Sequence, residues 1–134
     1  MESCAPYAFE YCGAVEIHCE NLKKLCDSAF SMSFSDSDLY FPRVEIVGRN
    51  AFYWGAFERI DLPSVKEMTS GGVFEYGFNG ELDLSSLERA GYETFFDFHM
   101  SKIYLPKLRI ADNFCFFASD IQTAIFPELR ELHY

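Results

Sequence analysis

The sequence predicts a repeat solenoid, mainly β, with short parallel strands stacked into a curved sheet and loops and short turns on the convex side. Three observations carry this expectation. A proline recurs after each of several apolar strands, pairs of a small residue and Phe recur with the same spacing, and two aliphatic columns keep step with both. Self-similarity at a fixed period is the mark of stacked-coil architectures.

The proline column is Pro42, Pro63, Pro106 and Pro127, in LYFP, IDLP, IYLP and AIFP, with Ser85 of LDLS in the vacant place; the steps are 21, 22, 21 and 21. The Phe pairs are Ala8-Phe9, Ala29-Phe30, Ala51-Phe52, Val73-Phe74, Thr94-Phe95 and Cys115-Phe116, with steps of 21, 22, 22, 21 and 21. Leu22, Val44, Val65, Leu87, Leu108 and Leu129 form a third column, and Leu25, Val47, Met68, Ala90, Ala111 and Leu132 a fourth. Residues 1–134 therefore read as a single domain of about six repeats of 21–22 residues.

Each repeat opens with an alternating triplet such as Ile60-Asp61-Leu62, whose period of two sends the aliphatic residues to one face and the middle residue to the other. The expected strands are Val15–Ile17, Leu39–Phe41, Ile60–Leu62, Leu82–Leu84, Ile103–Leu105 and Ala124–Phe126. Proline ends the strand because it has no N–H for a ladder. An extended or turn segment follows, held by the third and fourth columns, and the Phe comes at the next corner. A single coil is too thin to bury its own apolar side, so neighbouring coils must bury it jointly. With 15 Phe in 134 residues, one ring per layer is expected to fill the interior.

Composition narrows the function classes. The formal net charge is −10, from 21 acidic and 11 basic residues, which argues against the basic face that nucleic acid requires. No stretch approaches the ~20 apolar residues of a membrane span, so no membrane insertion is expected. The N-terminal residues MESCAPYAFEYC lack the basic and apolar regions of a secretory signal peptide, which leaves a cytoplasmic setting open. The cysteines are Cys4, Cys12, Cys19, Cys26 and Cys115; an odd number cannot all pair within the chain, and reduced core filling is expected for most.

With the repeat drawn, AFEYCGAVEI reads as A-F-x-x-C-x-x-V-x-I, and FERIDLPSVKEM, MSKIYLPKLRIA and IQTAIFPELREL as apolar-x-x-apolar-x-apolar-P-x-apolar-x-x-apolar. The pattern resembles the BspA-type leucine-rich repeat over residues 8–132. The resemblance implies a leucine-rich-repeat-like solenoid with a parallel sheet on its concave side, a role in adhesion or protein–protein contact, and a cell-surface or secreted setting. It brings no catalytic residues with it.

The concave face is the expected partner-binding surface. The middle residues of the strands include Glu16, Tyr40, Asp61, Asp83, Tyr104 and Ile125, and the column before them includes Arg59, Glu81 and Lys102. Glu16, Tyr40, Arg59, Asp61, Glu81, Asp83, Lys102 and Tyr104 are the candidate contact residues. Tyr supplies rigid amphipathic contact area, and the acidic balance favours a basic partner surface. Ordinary solvated strand positions are the competing account.

Chemistry of other kinds is not expected. Cys12, Cys19 and Cys26 lie seven apart, with His18 beside Cys19, but lack the paired short spacings of a zinc site. The glycines of SGGVF and GFNGE are not followed by the Lys-Ser/Thr of a phosphate loop. Asp61 and Asp83 would stand about 5 Å apart on adjacent strands, but on an open ribbon without walls to exclude water. The sequence thus points to a non-catalytic module without cofactor or metal that binds a protein or glycan partner. The alternative is a structural unit of a larger repeat protein, associating edge to edge through its open sheet.

Overall fold

The computed structural model describes residues 5–13, 17, 19–35, 38–69, 71–76 and 80–133. Every strand pair in it is parallel, and no helix occurs among the described residues. The chain winds as a β-solenoid in which each coil passes three faces before returning one layer further on.

The strand face holds Leu39–Tyr40, Arg59–Asp61 and Glu81–Asp83 in one ladder, and His99–Tyr104 with Asp120–Ile125 in another. Leu39–Tyr40 begins where its triplet does, the later strands begin earlier than theirs, and all end one residue short: Leu62, Leu84 and Leu105 fall just past them, buried at the corner that proline or Ser85 then turns. The expected first strand, Val15–Ile17, lies outside the described residues except for Ile17.

The second face follows the proline. It is extended, as Lys24–Leu25, Ile46–Val47, Glu67–Met68, Arg89–Ala90, Ile110–Ala111 and Glu131–Leu132. Leu25 pairs with Val47, and Met68, Ala90, Ala111 and Leu132 follow one another in register, so the fourth sequence column is a ladder in space. A third, shorter face pairs Phe34–Ser35 with Ala56–Phe57. In the last two coils the third face merges with the strand face, which gives His99–Tyr104 and Asp120–Ile125 their six-residue length.

Between the second and third faces lies a turn that carries the Phe column. Phe9, Phe30, Phe52, Phe74, Phe95 and Phe116 stack ring on ring, with centroids 4.8, 5.7, 5.5, 5.7 and 5.1 Å apart and planes within 10° of parallel. Backbone bonds hold the same spacing. Phe30 N–H donates to Ala51 O at 2.8 Å, Phe52 N–H to Val73 O at 2.9 Å and Phe95 N–H to Cys115 O at 2.8 Å. The ladder, the aliphatic columns and the inner residues of the strands form one core that includes Leu39, Ile60, Leu62, Leu84, Ile103 and Leu105.

The ladder supplies one ring per layer, and Phe41, Phe57 and Phe98 are buried in the same core, but not every Phe fills the interior. Phe34, Phe114 and Phe117 are exposed. They occupy outward positions of the coil, where the local backbone and not hydrophobicity decides the direction of the side chain. Cys12, Cys19, Cys26 and Cys115 are free thiols, and burial raises the Cys115 thiol pKa far above its ordinary value.

Candidate functional site

Each strand of the strand face sends its aliphatic residue inward and leaves an outward position on either side. The register brings the candidate residues together along that face. Arg59 is opposite Glu81, Tyr40 is opposite Asp61, and Asp61 is opposite Asp83. Lys102 is opposite Thr123, and Tyr104 is opposite Ile125. Glu16 lies outside the described residues. The face therefore carries Tyr40, Arg59, Asp61, Glu81, Asp83, Lys102 and Tyr104, with both tyrosines about half exposed.

The ribbon is not continuous. Phe41 N–H donates to Asp61 O at 3.0 Å, Leu62 N–H to Asp83 O at 2.9 Å and Leu105 N–H to Ile125 O at 3.1 Å. The next bond in that series would run from Leu84 N–H to Tyr104 O, and it is not made. Glu81–Asp83 and His99–Tyr104 belong to different sheets. The same two coils stay closed elsewhere: Arg89 pairs with Ile110, and Phe74 stacks on Phe95 at 5.7 Å. The opening lies where a three-residue strand meets a six-residue one.

The gap is a crevice of about 420 Å³. Arg59, Glu81, Asp83, Lys102 and Tyr104 line it, with Leu82, Met100 and Ile103 among its apolar lining. Five of the eight residues singled out from the sequence thus surround one opening. Tyr40 and Asp61 lie further along the paired sheet.

The charges in and beside the crevice are partly committed to one another. Arg59 Nε lies 2.9 Å from both carboxylate oxygens of Asp61, and its Nη1 is 2.5 Å from Glu81 Oε2. Asp61 above all, and then Glu81, hold the guanidinium more firmly charged than usual. Asp83 Oδ1 accepts the Ser85 N–H at 2.9 Å. Four other repeats have proline at that place, Pro42, Pro63, Pro106 and Pro127, and no N–H to satisfy. The Asp61 and Asp83 carboxylates are therefore neighbours in register, one held by Arg59 and the other by a turn. Glu81 keeps three quarters of its side chain exposed beyond its bond to Arg59, and Lys102 and Tyr104 are exposed on the opposite wall.

Sequence reasoning missed two features. One is the break itself, which depends on how coils of different strand length fit. The other is an exposed aromatic row on the turn, which includes Trp54, Tyr76 and Phe117. Its signal was present: Tyr53, Phe96 and Phe117 each follow a ladder Phe by one position, and Trp54 and Tyr76 by two. Reading Phe as core concealed it.

Parallel coils of 21–22 residues, a shared aliphatic and Phe core and an outward-facing strand ribbon define a leucine-rich-repeat-type solenoid. The chain belongs to the BspA type leucine-rich repeat region family, whose model matches residues 2–122 in six copies. No curated protein and no solved structure matches the chain.

Proposed function

We propose that this chain is a non-catalytic protein-interaction module that receives an extended segment of a partner protein at the strand-face crevice. The observation that carries this reading is the unmade Leu84–Tyr104 bond within a ladder whose equivalent bonds are made at Phe41, Leu62 and Leu105. A sheet edge with an unmet donor favours strand addition, in which the main chain supplies affinity and the flanking side chains supply selectivity. Tyr104 offers a rigid contact surface, and Glu81 and Lys102 offer opposite charges on facing walls. Family membership supports a role in protein contact.

The test is a displayed library of extended peptides selected on the folded protein. Selected ligands are expected to slow hydrogen exchange at the Leu84 amide. Joint substitution of Glu81, Lys102 and Tyr104 by Ala is expected to weaken them at least about tenfold, without moving the melting transition. Asp83 is left intact because it holds the Ser85 turn. Ligands that bind the triple variant unchanged and leave Leu84 unprotected would sink the reading.

A second reading is favoured by a separate observation. Asp120–Ile125 pairs on one side only, and all its residues except Ile121 are exposed. An apolar hollow of about 270 Å³ opens between the last turn and the last second-face strand, lined by Phe114, Cys115, Phe116, Phe117 and Leu132 among others. Open edges invite pairing with another chain, so this end supports assembly into a longer array. Light scattering over a wide concentration range tests it: a strict monomer throughout rejects edge-mediated assembly.

A further inference from the structure

The aromatic row of the turn face is a second surface, separate from the crevice. Tyr53 and Trp54 meet Tyr76 of the next coil at 5.5 and 5.9 Å between ring centroids. Tyr76 meets Phe96 at 5.9 Å, and Phe96 stacks on Phe117 at 5.6 Å. Phe117 then meets Phe114 at 5.5 Å, and Phe114 meets Tyr92 at 5.9 Å. The row lies outside the buried Phe ladder: Trp54 is 61% and Phe117 55% exposed, and Tyr53 and Phe96 are half-buried beneath it. A contiguous exposed aromatic row of this kind marks a contact surface and not a core.

Charge identifies what the row would take. The turn segments at 5–12, 26–33, 48–55, 69–76, 91–98 and 112–119 carry the acids Glu10, Asp27, Glu75, Glu93, Asp97 and Asp112 and a single base, Arg49. The segments of the second face, at 20–25, 42–47, 63–68, 85–90, 106–111 and 127–132, hold eight of the 11 Lys and Arg residues. The aromatic row therefore lies on an acidic part of the chain, as the strand face does, and away from the basic second face. Glu75 is set into the row itself, following Phe74 as Tyr53 follows Phe52 and Phe96 follows Phe95. Burial and the charges of Glu93 and Asp97 raise its pKa above the ordinary carboxylate range, with Arg49 opposing them. The carboxylates here crowd one another around one nearby cation.

Ring faces alternating with carboxylates suit one chemical group above others. A guanidinium is planar, stacks on an aromatic face, and donates paired hydrogen bonds to a carboxylate. A neutral sugar would use the rings and gain nothing from the accumulated charge, and an anionic surface would be repelled. We propose that the turn face docks an arginine-rich segment of a partner protein, with guanidinium groups on Trp54, Tyr76, Phe96 and Phe117 and against Glu75 and Asp97. This inference does not depend on the crevice.

Trp54, the only Trp of the chain, reports on the row directly. The experiment titrates the full chain, at about 0.15 M salt, with a peptide alternating arginine and serine and with its lysine counterpart of equal charge. Trp54 fluorescence and calorimetry are the readouts. The arginine peptide is expected to bind about tenfold tighter than the lysine peptide and to change Trp54 emission. Phe117→Ser and Trp54→Ser are each expected to weaken it about threefold. Tyr104→Ala, in the crevice, is expected to leave its affinity unchanged. Should either Ser variant lower the melting transition, Glu75→Gln decides, because it keeps the shape and removes the charge; it is expected to weaken the arginine peptide more than the lysine one. Equal affinity for the two peptides, an unchanged arginine preference in the variants, or loss of binding through Tyr104→Ala would overturn the proposal.

Discussion

Two residues in every turn adopt a left-handed backbone. One column is Tyr7, Ser28, Asn50, Gly72, Glu93 and Phe114, and the other is Tyr11, Met32, Trp54, Tyr76, Asp97 and Ala118. Eleven of these twelve are not glycine, although the conformation costs an L-residue about 1–2 kcal/mol. The offset is visible in the bonds they make. Ser28 N–H donates to Arg49 O at 2.7 Å, Met32 N–H to Tyr53 O at 2.7 Å and Trp54 N–H to Glu75 O at 2.9 Å, each crossing to the next coil. The twist aims these N–H groups along the stack, where a plain turn would leave them in solvent. Gly72, with φ of +65°, is the glycine of the set, and a Cβ there would strike Asn50 Oδ1 and Glu75 Oε2. Ala118, with φ of 59°, is exposed and its side chain has no buried packing role. Ala118→Gly is therefore expected to stabilise the protein by about 0.5–1 kcal/mol, read as a rise in the urea midpoint. A fall in the midpoint would mean that the left-handed cost is already relieved.

At the scale of the element, strand length decides where the molecule opens. Arg59–Asp61 and Glu81–Asp83 match in length and pair residue for residue. His99–Tyr104 and Asp120–Ile125 also match each other and pair at five positions. Each pair is internally consistent, and the join between them is where pairing fails. The Arg59 clamp on Asp61 and Glu81 reinforces the first pair, although exposed ion pairs of this sort contribute only about 0–1 kcal/mol. The Leu84 amide is expected to exchange at least about tenfold faster than those of Leu62 and Leu105, because both equivalents donate to a carbonyl of the next coil. Site-resolved hydrogen exchange on the free protein checks this, and comparable protection at all three would close the crevice as a candidate site. The periodic triplets made the strand face and the order of its residues legible: Tyr40, Arg59, Asp61, Glu81, Asp83, Lys102 and Tyr104 lie where alternation puts them. The division of that face into two sheets was not legible. It arises from the third face merging with the strand face in the last coils, which no single repeat encodes.

For the whole molecule, stability is close to a sum over neighbouring coils. An interior ring is packed from both sides and a terminal one from a single side. Phe52 lies between Phe30 and Phe74, while Phe9 stacks on Phe30 and is only partly buried. Phe52→Ala is expected to cost about 3–5 kcal/mol, and Phe9→Ala about 1–2 kcal/mol, both measured by denaturant unfolding. Equal costs would argue that the first coil is integral to the cooperative unit. Charge is also distributed at this scale: the second face holds most of the basic residues, and the turn face is acidic and aromatic. The net value of −10 says nothing of this separation.

The coil, its period and its inward residues can be read along the chain without any coordinates. Those depend on local alternation and on columns repeated six times, and both survive in one dimension. Which outward residues share a surface, and where the stack parts, emerge only once the coils are stacked. Trp54 and Tyr76 are 22 residues apart in the chain, yet their rings lie 5.9 Å apart. Asp83 and Tyr104 hold equivalent places in successive repeats but face each other across an open crevice. Neighbourhood across coils depends on the fit between layers, and that fit is fixed only when all of them have formed.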